Sequence, residues 1–187
     1  MGHFKFSKAP NIPEIVVVEA KAFSDQRGFF MESFNVSNFA NEGFHEQFVQ
    51  DNLSRSKKGV VRGLHYQLKS NPMGKLVSCP RGKIFDVGVD VRQGSKTFGQ
   101  WYGEILSEEN KKMLYFPPGF AHGILALEDN TLVHYKCTGV YSQENERALL
   151  WNDPQVGIKW PLVELGSEPI LSDKDKIAPQ LIAADLF

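Results

Sequence analysis

The sequence predicts an all-β fold, and three observations predict it. Apolar and polar residues alternate with a period of two along most of the chain. Glycine and proline clusters interrupt that alternation at short, regular intervals. The one good short-helix pattern is Ser37 to Glu42, stopped by Gly43. Many short strands at such spacing form a sandwich or a barrel, and no Gly-x-Gly-x-x-Gly supports a dinucleotide-binding α/β fold.

The elements follow in order. Ile15-Val16-Val17-Val18 is an apolar, β-branched run. A turn at Ser24-Asp25-Gln26-Arg27 leads into a strand from Gly28 to Phe34. Further strands are expected from Phe48 to Leu53, Val60 to Leu68 and Leu76 to Cys79. Ile84 to Val91 alternates most clearly, with Phe85, Val87, Val89 and Val91 on one face and Asp86, Gly88 and Asp90 on the other. Gly99 to Leu106, Lys112 to Phe116, His122 to Leu127 and Thr131 to Tyr141 complete the set. Turns are expected at Pro80-Arg81-Gly82, Gln93-Gly94-Ser95, Pro117-Pro118-Gly119 and Glu128-Asp129-Asn130. The charged tail from Pro169 onward is expected to pack as short helical or irregular segments.

Length and composition set the frame. The chain has 187 residues, enough for one domain, 1–187, with a sizeable core, and shows neither internal repeat nor linker. Hydrophobic residues make up 42% and charged residues 23%, an ordinary globular balance. A formal net charge of -1 gives no footprint for nucleic acid or an anionic membrane. No apolar run reaches the length of a membrane span, and the start lacks both a signal-peptide core and a myristoylation pattern. Cys79 and Cys137 are too few for a disulfide framework, so a reducing, cytoplasmic setting is expected.

Several strands carry polar residues where a barrel core wants none, since a buried polar group without a partner is costly. Gln50, Asp51 and Asn52 lie in one, Arg62, His65 and Gln67 in another, and His134, Tyr135, Lys136 and Tyr141 in a third. A barrel lined in this way holds a polar, anionic ligand, with Arg27, Arg62 and Lys75 as candidate cations. Each residue also has an ordinary structural reading. Arg62 fits a strand surface, Gln50 and Asn52 an exposed edge, and His65 a hydrogen-bonded core position. Tyr135 fits a half-buried core tyrosine, Asp175 a solvated charged turn, and His122 the closing residue of a turn. The functional signal lies in the combination.

Two motifs sharpen it. Pro117-Pro118-Gly119-Phe120-Ala121-His122 fits the second half of a cupin-type signature. Arg62-Gly63-Leu64-His65-Tyr66-Gln67 stands where a metal-binding cupin presents His-x-His and a following Glu. A barrel mouth with a lone His and so few ligands points to proton chemistry, with no metal and no cofactor expected.

Taken with Asp25-Gln26-Arg27-Gly28-Phe29-Phe30-Met31-Glu32, Phe48-Val49-Gln50-Asp51-Asn52, Gly74-Lys75-Leu76-Val77, Tyr135-Lys136-Cys137-Thr138, Trp151-Asn152-Asp153-Pro154 and Leu171-Ser172-Asp173-Lys174-Asp175, these stretches resemble the RmlC family, the dTDP-4-dehydrorhamnose 3,5-epimerases, nearly end to end. The resemblance implies a cupin-like jelly-roll barrel with a few short helices, a homodimer and a dTDP-sugar substrate. It implies His65 as catalytic base with Asp175 as its dyad partner, Tyr135 as the opposing acid, and Lys75 as the cation beside the sugar keto oxygen. It places Arg27, Glu32, Gln50, Asn52, Arg62, His122, Tyr141, Glu146 and Lys174 at substrate-binding positions and Asp86 where the family keeps an active-site acid. Arg27 and Glu32 are expected to act across the dimer interface. Glu144 competes with Glu146, because the proline often seen after Tyr141 is absent. Ile124 replaces a common Phe, which bears on packing. The rival readings are a C3-only or C5-only epimerase or keto-isomerase, a metal-dependent cupin oxygenase, and a sugar-nucleotide-binding module without chemistry.

Overall fold

The structure, a computed structural model, describes residues 2–187. Thirteen strands and two short α-helices follow in chain order. They are β1 (Phe4–Lys8), β2 (Val16–Ala20), β3 (Ala22–Asp25), β4 (Gly28–Met31), α1 (Val36–Asn41), β5 (Gln50–Ser56), β6 (Val61–Gln67), β7 (Lys75–Arg81) and β8 (Lys83–Asp90). Then come β9 (Trp101–Ser107), β10 (Lys112–Phe116), β11 (Phe120–Ala126), β12 (Thr131–Cys137), β13 (Glu146–Ala148) and α2 (Asp173–Lys176). A six-stranded sheet runs β1-β2-β10-β7-β12-β5 and a five-stranded sheet runs β13-β6-β11-β8-β9, with β3–β4 as a separate hairpin. Pairing between these strands is antiparallel throughout, as expected of a jelly roll. No helix is long and apolar enough to cross a membrane among the described residues.

Alternation explains how the chain builds three apolar layers. Val77, Ile84, Leu114, Phe116, Ile124 and Val133 point between the two sheets and form the inner core. Their neighbours point outward. Phe85, Val87, Val89 and Val91 pack under the C-terminal segment, against Trp160, Leu162 and Leu181. Leu76, Met113 and Tyr115 pack under α1, whose buried Phe39 meets Phe4, Phe6, Phe34 and Phe44 edge to face. Asn35 caps α1 by accepting from the amides of Ser37 and Asn38, and Gly43 at φ 80 ends it.

The polar face of β8 is therefore not a solvent face. Asp86 shares its side of the strand with Ile84, toward the interior, and is fully buried. The differences from the sequence reading are local. Ser24 and Asp25 belong to β3, so the turn is only Gln26-Arg27, and β4 stops at Met31. β12 stops at Cys137 instead of Tyr141. β1 and the three-residue β13 were not expected.

Candidate active site

One stretch of the interior is polar. Residues two apart on a strand share a face, and β5, β6, β7 and β12 direct Asn52 and Ser54, His65, Lys75 and Tyr135 to the inside. All of these but Asn52 line a cavity of about 450 Å³ together with Arg62, His122, Ser172, Lys174 and Asp175. A smaller annex of about 110 Å³ shares His65, Lys75 and Tyr135 with it and adds Gln50, Asn52, Gln67, Tyr141 and Glu146.

His65 is placed by the crossing of β6 and β11. The register pairs His65 with His122, then slips between His122 and Ile124. Gly63 sits in that slip at φ 124, where a Cβ would lie 2.6 Å from Gly123 Cα and 2.7 Å from the His122 carbonyl oxygen. Only glycine fits. Paired residues face the same way, so both imidazoles reach the interior side by side.

Each imidazole has a carboxylate. His65 Nε2 donates to Asp175 Oδ1 at 2.7 Å, which leaves Nδ1 with the lone pair. Asp175 stands on α2, where Ser172 Oγ accepts from its backbone amide at 3.2 Å. Burial disfavours the charged Asp175, but hydrogen bonds from His65, Ser172 and the Gly63 backbone outweigh it and hold the carboxyl below its ordinary range. His122 Nε2 meets Asp86 Oδ1 at 2.6 Å. Burial pushes the Asp86 carboxyl up and the His122 imidazole down, against the pull of each on the other.

Lys75 Nζ donates to the His65 carbonyl at 3.2 Å and lies 6.0 Å from the centre of the Tyr135 ring. Burial lowers its pKa, opposed by Asp86 and Glu146 among its neighbours. Tyr135, like Lys75, belongs to the six-stranded sheet and faces His65 from the sheet opposite. Burial raises its phenol pKa, so it is a proton donor at neutral pH, and its hydroxyl bonds to no other described residue. The cavity thus has the His65 imidazole on one wall, the Tyr135 phenol on the other, and the Lys75 side chain within reach of both.

The remaining expected residues divide. Gln50, Asn52, Arg62, Asp86, His122, Tyr141, Glu146 and Lys174 gather at the cavity or its annex, or hold residues that do. Glu146, not the exposed Glu144, lines the annex, where its Oε2 accepts from Lys174 Nζ at 2.6 Å and Tyr141 Oη at 3.1 Å. Arg27 and Glu32 do not join them. Arg27 lies on the β3–β4 turn, paired with Asp25 at 2.6 Å, and Glu32 accepts from Asn35 and Asn38. Sequence reasoning missed Ser54 and Ser172 as lining residues. Ser54 was findable, since it continues the inward alternation of Gln50 and Asn52; Ser172 carries no such signal.

Comparison with known proteins adds a family to this geometry. The model of the family described as dTDP-4-dehydrorhamnose 3,5-epimerase matches residues 9–183. A dTDP-4-dehydrorhamnose 3,5-epimerase of Shigella flexneri is 49% identical over 177 residues, covering 94% of this chain and 96% of that protein. Its counterpart in Salmonella typhimurium is 50% identical over 171 residues, covering 91% and 92%. The solved structure of the Legionella pneumophila enzyme RmlC, in complex with dTDP-4-keto-L-rhamnose, superposes with a TM-score of 0.91 at 47% identity, covering 97% of this chain and 94% of that one.

Proposed function

This chain belongs to the dTDP-4-dehydrorhamnose 3,5-epimerase family, and from that premise we propose how its cavity carries out the family's reaction. The reaction converts dTDP-4-dehydro-6-deoxy-D-glucose to dTDP-4-dehydro-L-rhamnose. The C4 ketone acidifies the hydrogens on C3 and C5, and inversion at either carbon needs a base on one face and an acid on the other. The observation that carries the assignment is that His65 and Tyr135 come from different sheets and line one cavity.

His65 Nδ1 takes the proton from carbon, and the C–H electron pair moves into the ring as an enolate with its charge on the C4 oxygen. Asp175 holds the imidazole in the required tautomer and stabilises the imidazolium. Lys75 lies beside the enolate oxygen and offsets its charge. Tyr135 returns a proton to the opposite face of the carbon, and a shift of the ring lets one acid–base pair serve both centres. Arg62 and Lys174 at the mouth suit the diphosphate.

The working form is a homodimer in this reading. The β3–β4 hairpin exposes Phe23, Phe29 and Phe30, an apolar patch of the kind that marks an interface. It carries Arg27 away from the chain's own cavity, which suits a residue acting in a partner's site. Two free, buried cysteines agree with a cytoplasmic setting.

The test is NMR of the purified protein with dTDP-4-dehydro-6-deoxy-D-glucose in D₂O. Deuterium at both C3 and C5, with dTDP-L-rhamnose forming when a reductase is added, is the expected result. Deuterium at one carbon alone identifies a narrower epimerase, and none removes the epimerase reading. His65→Asn should slow exchange by about 10²–10⁴-fold or more, with only a modest change in binding.

A further inference from the structure

We infer that Gln67 is a positioning residue for Tyr141, an inference that rests on the epimerase reading of the cavity. The argument begins with backbone accounting. Between the end of β12 at Cys137 and the start of β13 at Glu146, the chain crosses the annex without a strand partner. Its peptide groups must still be satisfied. The Val140 carbonyl and the Tyr141 and Ser142 amides are satisfied by side-chain amides. The Val140 carbonyl accepts from Asn71 Nδ2 at 2.9 Å and from Gln67 Nε2 at 3.5 Å. The Tyr141 amide donates to Gln50 Oε1 at 2.9 Å, and the Ser142 amide to Gln67 Oε1 at 2.6 Å.

Gln67 bonds on both sides of Tyr141, and it is only 4% exposed. It stands two residues beyond His65 on β6, on the same face. Its Nε2 also donates to the Asn71 carbonyl at 3.2 Å. Both amide hydrogens and one oxygen lone pair are therefore used within the protein, which leaves Gln67 poorly placed to bind substrate itself. Tyr141 is the opposite case. Its side chain is 51% exposed, and among the described residues its hydroxyl bonds only to Glu146. Packing does little to place that ring, so its position follows from its backbone. Gly139 tightens the same joint, since a Cβ there would lie 2.6 Å from the Pro72 carbonyl oxygen.

A double-mutant cycle tests this, with kcat and KM read from epimerisation by wild type, Gln67→Met, Tyr141→Ala and the double variant. Gln67→Met keeps the length and removes the amide. It should raise KM about tenfold and change kcat less than about threefold, because it disturbs a binding contact away from the reacting carbons. In the Tyr141→Ala background it should change KM less than about twofold, since its effect passes through that ring. An equal change of KM in both backgrounds, or a loss confined to kcat, overturns the inference. A general weakening of the fold lowers the melting temperature without producing that KM-specific coupling. Should Gln67→Met not fold, Gln67→Glu keeps an acceptor for the Ser142 amide, removes the Nε2 donor to the Val140 carbonyl and should raise KM about two- to threefold, again only when Tyr141 is present. A KM unchanged by Gln67→Glu overturns the inference equally. An inactive wild type removes the epimerase reading and this inference with it, whereas an active wild type with an uncoupled cycle removes the inference alone.

Discussion

In the proposed mechanism Asp175 acts through His65 and not on the sugar. Its carboxylate is buried and bonded to His65 Nε2, so its value lies in fixing which imidazole nitrogen is basic and in stabilising the cation that forms when that nitrogen takes a proton. Asp175→Asn keeps the shape and removes the charge. We expect kcat to fall by about 10²–10⁴-fold with KM nearly unchanged. Steady-state rates check this, and a variant retaining a third of the wild-type rate would end the dyad assignment. The sequence made the two partners unequally visible. His65 stands out because a metal-binding motif would carry a second His beside it. Asp175 sits in a charged run that reads as a solvated turn, and only folding brings it to a strand 110 positions away. Asp86 was marked as a site residue by the resemblance alone, since its local pattern hides it. It alternates with valines, as a solvent-facing residue would, but both faces of β8 are buried and its polar face is the cavity side.

The crossing of β6 and β11 is the element that sets the dyad, and Gly63 is its critical residue. A methyl group there would meet the backbone of β11 at 2.6 Å, and the positive φ is unfavourable for any residue with a Cβ. Gly63→Ala should destabilise the fold by about 2–3 kcal/mol or more and cut activity in the fraction that remains folded, because His65 lies two residues away. Urea unfolding monitored alongside activity tests both; a variant of wild-type stability would mean that the two strands can separate at little cost. Strands such as β8, β10 and β11 were legible in the sequence because their alternation is backed by packing on at least one face. β13 was not, since three residues show no period and its place is set by pairing with β6. The end of β12 was overrun for a related reason. The apolar and aromatic pattern continues to Tyr141, but after Cys137 the backbone turns to Gly74 and to the amides of Gln50, Gln67 and Asn71.

At the scale of the whole molecule, charge and assembly each yield a prediction. Burial disfavours the ionised forms of Asp90, Glu104, Glu146 and Asp175, yet the hydrogen bonds they accept more than compensate and lower all four pKa values. Their stabilisation is complete above the ordinary values of 3.8 for Asp and 4.5 for Glu and is lost as pH falls through the depressed folded values. In that window the unfolded chain binds more protons than the folded one, so stability rises with pH. Calorimetry should show the melting temperature falling steadily from about pH 5 to about pH 3, and a flat profile would contradict it. Assembly makes the sharper prediction. If Arg27 completes a partner's cavity, two variants defective for different reasons should repair each other. On that premise Arg27→Ala weakens substrate binding and His65→Asn removes the proposed base, so each homodimer alone should be poor at low substrate. A mixed dimer has one cavity with both defects and one with neither, because the Arg27→Ala subunit supplies an intact His65 and receives an intact Arg27 from its partner. Random exchange makes about half of the dimers mixed, so a re-equilibrated equimolar mixture should recover roughly a quarter of the wild-type rate. A mixture no more active than the mean of its two parents would place Arg27 in its own chain's site or in none.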